Sequence, residues 1–132
     1  MICGFPGETE DDHRLTVAIV ERLPFTSLHV FPYSPRPGTA SLRLGPPVGS
    51  EDIRRRCEEL REISERKAIV YRKLRHGTGS DVVVTKRGEG LTEDYLSVAV
   101  SDSAVRRRAR LDATLTLQSG LLIATPTSIP SA

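Results

Sequence analysis

Cysteine is scarce in this chain of 132 residues: Cys3 and Cys57 stand far apart, with no CxxC-like partner for either. That spacing supports neither a disulfide framework nor a thiolate metal site, so no metal ligand is assigned. Long hydrophobic runs are missing too; nothing approaches the ~18 apolar residues of a membrane span. No basic segment leading into an apolar one opens the chain, so no export signal is expected and a soluble cytoplasmic protein is the default. Strong charge of one sign is also lacking. A net charge of +2 is too weak by itself to imply nucleic acid. The distribution is uneven, however: Arg54-Arg55-Arg56, Arg72 to Arg75, Lys86-Arg87 and Arg106-Arg107-Arg108 all follow residue 50, and the first third is near neutral. The length allows one domain or two small ones, each marginal alone.

What the chain does have is the run Gly4-Phe5-Pro6-Gly7-Glu8-Thr9. Two glycines around a proline make a tight turn that lets a ligand lie against the backbone. Thr9 with Asp12 three residues on forms a short relative of the capping box, and Glu10, Asp11 and Asp12 suit the positive end of a helix. A helix of about four turns is predicted, with Leu15, Ala18, Ile19, Arg22 and Leu23 on one face, until Pro24 stops it. Ser27-Leu28-His29-Val30-Phe31 follows as a buried strand. Stub strand, glycine turn, helix and strand make a βαβ unit whose turn lies at the ligand edge of a parallel sheet. The turn needs a strand in front of it that the chain barely supplies, so an upstream portion is expected.

Next, Pro32-Tyr33-Ser34-Pro35-Arg36-Pro37-Gly38-Thr39 is too rich in proline for a helix and forms a stiff loop. Ser50, Glu51 and Asp52 start a long helix to about Leu74, apolar at Ile53, Cys57, Leu60, Ile63, Ile69, Val70 and Leu74. After His76-Gly77-Thr78-Gly79 the composition changes to short alternating runs around Val82–Thr85, Tyr95–Val100, Ala109–Leu117 and Leu121–Ala124, which predict a small antiparallel β-barrel. The expected organisation is an α/β portion over residues 1–76, a β-barrel over 77–125 and a frayed tail over 126–132.

These motifs resemble the radical-SAM methylthiotransferases, which attach a methylthio group to an adenosine of tRNA or to a ribosomal protein. The resemblance rests on Gly4 to Glu10, on Leu23-Pro24-Phe25, on Leu28 to Thr39 and on Gly90-Leu91-Thr92-Glu93-Asp94-Tyr95, which is like the family's TRAM domain. It is strong to about residue 100 and loose afterwards. It implies the last βα units of a TIM-like radical-SAM barrel, a long helix and an OB-like TRAM barrel. The run Leu28 to Thr39 looks most like enzymes acting on threonylcarbamoyladenosine next to the anticodon. The branch that modifies a ribosomal protein tends to carry an acid where Arg36 and Pro37 stand.

The resemblance further implies S-adenosylmethionine and iron–sulfur clusters in the intact enzyme. The three auxiliary-cluster cysteines and the CxxxCxxC motif are not in this sequence, and Cys3 belongs to no such motif. The chain is therefore expected to be a fragment, inactive alone and with no catalytic residue of its own, whose partners are tRNA and the missing N-terminal part; Met1 is then a false start or the edge of a truncated product. Gly4, Phe5, Pro6, Gly7 and Glu8 are implied to face the cofactor, and Tyr33, Ser34 and Arg36 the substrate. Glu8 serves equally well as a first-turn acid of the helix, Tyr33 as a packing residue, and His29 as a core histidine rather than a base. Lys86, Arg87, Tyr95, Arg106, Arg107 and Arg108 are the expected RNA contacts, the arginines through phosphates and Tyr95 by stacking; charged surface and a half-buried strand tyrosine are the plainer roles. A stand-alone RNA-binding module, an inactive remnant and a fragment of a ribosomal-protein methylthiotransferase remain the alternatives.

Overall fold

The computed structural model describes residues 1–127 and divides into two units, one spanning Met1–Ala68 and one beginning at Ile69. In the first unit, strand β1 (Ile2–Cys3) pairs in parallel with β2 (Phe31–Pro32), Ile2 opposite Phe31 and Cys3 opposite Pro32. Helix α1 (Glu10–Arg22) connects them. Its start is written in the sequence: the Thr9 hydroxyl accepts from the Asp12 amide at 3.1 Å while Asp12 accepts from the Thr9 amide at 2.8 Å, satisfying amides that a helix start leaves without partners. A short 3-10 turn (Ala40–Arg43) leads to helix α2 (Ser50–Arg75), whose Cys57, Leu60 and Ile63 form one core with Cys3, Val20 and Val30.

Two expectations need correction here. The stripe Leu15, Ala18, Ile19 and Leu23 is not the packed face of α1: Leu15 is 64% exposed, and the helix buries His13 and Val20 instead. Both stripes have helical period, and the buried one was masked by a histidine that the core tolerates because Nε2 meets Glu59 Oε2 at 2.7 Å. The segment Ser27 to Phe31 is likewise not buried throughout. Only Val30 is, because a two-stranded sheet covered on one side alternates core and exposed residues.

The ladder also fixes what β2 offers outward. The Phe31 and Tyr33 amides donate to the Met1 and Cys3 carbonyls, which turns the backbone groups of Val30 and Pro32 to the far edge. Pro32 has no N–H to give, and the Val30 carbonyl already accepts from Arg61 Nη2 at 3.2 Å.

The second unit is a closed barrel of β3 (Gly79–Lys86), β4 (Glu89–Thr92), β5 (Ser97–Val100), β6 (Arg110–Gln118) and β7 (Leu121–Pro126), in the order β3-β4-β5-β7-β6 with β6 returning to β3. Val82, Val84, Val98, Val100, Leu111, Leu115 and Leu122 alternate inward to form its core. The barrel is mixed rather than antiparallel. The connection from β5 leads past the next position to β6, and the tight β6–β7 turn then brings β7 back beside β5 and parallel to it. Pro126 ends β7, and the Thr127 amide donates to the Asp112 carbonyl at 2.9 Å, so the expected tail does not start at residue 126. Residues 128–132 of that tail lie outside the described ones.

Candidate functional site

The Gly4–Glu8 turn lies just past the C-terminal end of β1. Gly4 and Gly7 have φ of +82° and +87°, which glycine adopts without strain. Glu8 turns back on the turn: its Oε2 accepts from the Gly4 amide at 2.6 Å and from Arg56 Nη1 at 2.8 Å. The same guanidinium reaches the Glu8 carbonyl at 3.2 Å and Glu10 at 3.2 Å, and Arg56 is only 4% exposed. The room left by the glycines is filled from within the unit. A Cβ on Gly4 would stand 2.3 Å from Ile53 Cγ1, and one on Gly45 would stand 2.6 Å from Gly7 Cα.

Beside the turn opens a cavity of about 320 Å³ whose walls include Gly4, Pro6, Tyr33, Pro35 and Val48. The structure thus brings Gly4, Pro6 and Tyr33 together around one cavity. Phe5 meets Tyr33 edge-on at 5.4 Å, and the Tyr33 hydroxyl shares a hydrogen bond with Ser41 at 2.9 Å. Ser34 and Arg36 are exposed on the loop beyond β2. His29 is exposed rather than in the core, its ring stacked on Phe31.

In the barrel, Lys86 and Arg87 sit at the β3–β4 turn and Arg106, Arg107 and Arg108 in the β5–β6 loop. Backbone bonds hold these segments at one end: Val100 N to Gly88 O at 2.9 Å and Arg108 N to Val84 O at 2.8 Å. Arg107 Nε also donates to the Thr85 carbonyl at 3.0 Å. Lys86 pairs with Glu89 at 3.0 Å, while Arg87, Arg106 and Arg108 are exposed.

Tyr95 is not with them. It lies in the β4–β5 turn at the opposite end, 82% exposed and with φ of +63°. That end is held by acids: Arg75 pairs with Glu93 at 3.0 Å and Asp94 at 3.1 Å, and the Tyr71 hydroxyl donates to Asp94 at 2.7 Å. The Ser80 hydroxyl holds Glu93 below the usual carboxylate range. Burial pushes Asp94 upward, but hydrogen bonds from Thr92 and Tyr71 and the charge of Arg75 outweigh it and leave Asp94 below its ordinary value. The hydrogen bond to Asp94 raises Tyr71 in turn.

Sequence reasoning missed Arg56, counting it in a charged run. Its signal was positional: residues 53, 56, 57, 60, 63 and 64 share one face of a helix, so one arginine of the triple had to point toward the core.

Neither cysteine suits a cluster. Both are buried, and burial, then the hydrogen bond with Cys57, push the Cys3 thiol up to about 12. Among the described residues no group of three or more His, Cys, Asp or Glu is placed to hold a metal ion, and no helix is long and apolar enough to cross a membrane.

No family model matches the chain. Individual relatives do. The threonylcarbamoyladenosine tRNA methylthiotransferase MtaB of Aquifex aeolicus is 31% identical over 98 residues, 74% of this chain and 24% of that protein. The tRNA-2-methylthio-N(6)-dimethylallyladenosine synthase of Kineococcus radiotolerans is 37% identical over 91 residues, 68% of this chain and 18% of that protein. MtaB of Thermotoga maritima is 40% identical over 73 residues, 55% of this chain and 17% of that protein. The matches fall on the C-terminal portion of these enzymes. The chain belongs to the radical-SAM methylthiotransferase family. It spans about a quarter or less of the length of the curated relatives it matches. Within this family member, the barrel is consistent with the TRAM domain.

Proposed function

We propose that the chain is the C-terminal, substrate-side portion of a tRNA methylthiotransferase, working in the cytoplasm on threonylcarbamoyladenosine next to the anticodon. The relatives by themselves speak for both threonylcarbamoyladenosine and dimethylallyladenosine enzymes; the run Leu28 to Thr39 favours the former. In this reading the parallel β1–β2 pair belongs to a larger radical-SAM barrel completed by the N-terminal part, which also carries the iron–sulfur ligands. S-adenosylmethionine, when bound to the complete enzyme, supplies the radical and methyl chemistry. This chain contributes Gly4 and Pro6, backed by Ile53, as part of the cavity wall beside Tyr33. Glu8, held by Arg56, keeps that wall in shape.

The observation that carries the reading is the gathering of Lys86, Arg87, Arg106, Arg107 and Arg108 at one end of a closed barrel, against only Glu89 and Asp102 nearby in sequence. Such an end suits phosphates, through contacts that are blind to sequence and weakened by salt. An anticodon stem-loop RNA should bind the chain more weakly as salt rises, and replacing Arg106 and Arg108 by Ala should flatten the salt slope by roughly one unit per lost contact. An affinity indifferent to salt overturns the assignment. A barrel closed on all its edges also favours a second reading, in which the chain acts only as an RNA-binding module. Recovery of methylthiotransferase activity on adding the separately expressed N-terminal part of a relative decides for the first.

A further inference from the structure

The sequence keeps Cys3 and Cys57 apart, and the fold brings them together. Cys3 ends β1, Cys57 faces it from α2, and both lie in the core of the first unit at 1% and 2% exposure. Their side chains share a hydrogen bond. The residues beside them hold the two backbones in place. Gly4, which follows Cys3, packs on Ile53 too closely to admit a Cβ, and Ile53 stands one helical turn before Cys57 on the same face. Arg56, which precedes Cys57, donates to Glu8 Oε2 at 2.8 Å. The contact between the sulfurs is thus fixed from both sides, and it lies between strand and helix rather than on the open face of the sheet.

Neither thiol has a part in the function given above. Neither lines the cavity beside Gly4 and Pro6, and among the described residues no further His, Cys, Asp or Glu joins the pair in a group able to hold a metal ion. Two touching thiols without another ligand are placed for reaction with each other, since a disulfide of about 2.05 Å forms without backbone rearrangement only where the sulfurs already face one another. We propose that Cys3 and Cys57 are a latent disulfide, an oxidation site that fastens the strand leading into the glycine turn to helix α2. The oxidant is a small-molecule disulfide such as oxidised glutathione. One cysteine thiolate attacks a glutathione sulfur and expels a glutathione thiolate, leaving a mixed disulfide. The other cysteine thiolate then attacks the protein sulfur of that bond and expels the second glutathione. Two protein thiols are oxidised, one small disulfide is reduced to two thiols, and the protons pass from the cysteines to the glutathiones. In the closed unit both sulfurs are covered, so the first attack waits for local opening and the bond forms slowly. Once made, it closes a loop from residue 3 to residue 57 that contains α1 and β2, a length at which a cross-link restricts the unfolded chain strongly.

The test equilibrates the whole chain with mixtures of reduced and oxidised glutathione, in buffer and in concentrated urea. Free thiols are then trapped, and the fraction with an internal disulfide is read by mass spectrometry. The disulfide should be favoured in buffer over urea by about thirtyfold or more, the low end of what a native disulfide contributes, because a bond that steadies the fold is itself favoured by folding. A ratio near or below one overturns the proposal, as do glutathione left on each cysteine and a disulfide joining two copies. In the oxidised chain the amides of Gly4, Gly7 and Glu8 should exchange about tenfold more slowly or better, with those of Val82 and Leu115 unchanged. Equal exchange at the turn in the two forms overturns the fastening. Cys57→Ala treated in the same way should show no slowing, and the buffer-to-urea ratio needs no variant at all. No RNA or cofactor enters either measurement, so the outcome is independent of the function given above.

Discussion

The two units solve the problem of the sheet edge in opposite ways. The barrel returns β6 to β3, so each strand is hydrogen-bonded on both sides, and its core residues Val82, Leu115 and Ala124 are fully enclosed. The first unit has two strands of two residues each and one covered face, with Leu15, Ile19, Phe31 and Ile2 left exposed around them. Edge closure, more than size, decides which unit should persist by itself, because the two have similar lengths.

Amide exchange should break or sharpen this contrast most directly. Amides of Val82 and Leu115 should exchange on the order of a hundredfold more slowly than those from Leu28 to Phe31; equal protection would sink the comparison. Next in size, Leu115→Ala should cost the barrel about 2–5 kcal/mol, whereas Leu15→Ala should change stability by no more than about 0.5 kcal/mol, both read from denaturant midpoints. Gly4→Ala should destabilise the first unit by roughly 1–3 kcal/mol, since it forces a side chain to positive φ and into Ile53. Arg56→Ala should cost about 1–3 kcal/mol by leaving the Glu8 carboxylate buried without its partner. That loss should appear in Gly4 to Gly7 exchange and leave the barrel untouched.

Smaller still is the effect of acid on the barrel. Glu93 and Asp94 titrate below their ordinary values of 4.5 and 3.8 in the fold, so the unfolded chain binds protons first. Their contribution is full above about pH 5 and should fade as pH falls through 4 and below. A barrel whose unfolding midpoint is as high at pH 3 as at pH 6 would contradict the network around Arg75. Finally, Cys3 and Cys57 should resist iodoacetamide in the native chain at pH 8 and react on unfolding, as thiols out of reach of the reagent do.

Much of this was legible in the sequence where local chemistry decides. The Thr9–Asp12 cap, the start of α2 at Ser50 and the barrel strands other than β4 follow from side-chain type and period alone, while β4 (Glu89–Thr92) hid behind the glycines of its turn. What escaped needed the third dimension. Two apolar stripes compete on α1, and only packing selects the one through His13 and Val20. Arg56 looked like surface charge because its acceptors, Glu8 and Glu10, lie far back in the chain. The arginines and Tyr95 read as one RNA surface in sequence, yet strand direction sends them to opposite ends of the barrel. The parallel β5–β7 pair depends on where a long connection leads, which residue type does not record.

Pro32 and Arg61 together give the small sheet a direction of growth. With no donor at one residue and an acceptor already engaged at the other, the β2 flank keeps only the Val30 amide and the Pro32 carbonyl for a newcomer, whereas Ile2 turns both an amide and a carbonyl outward from β1. The β1 flank is therefore the better edge for a further strand, and the pair grows more readily on one side than on the other.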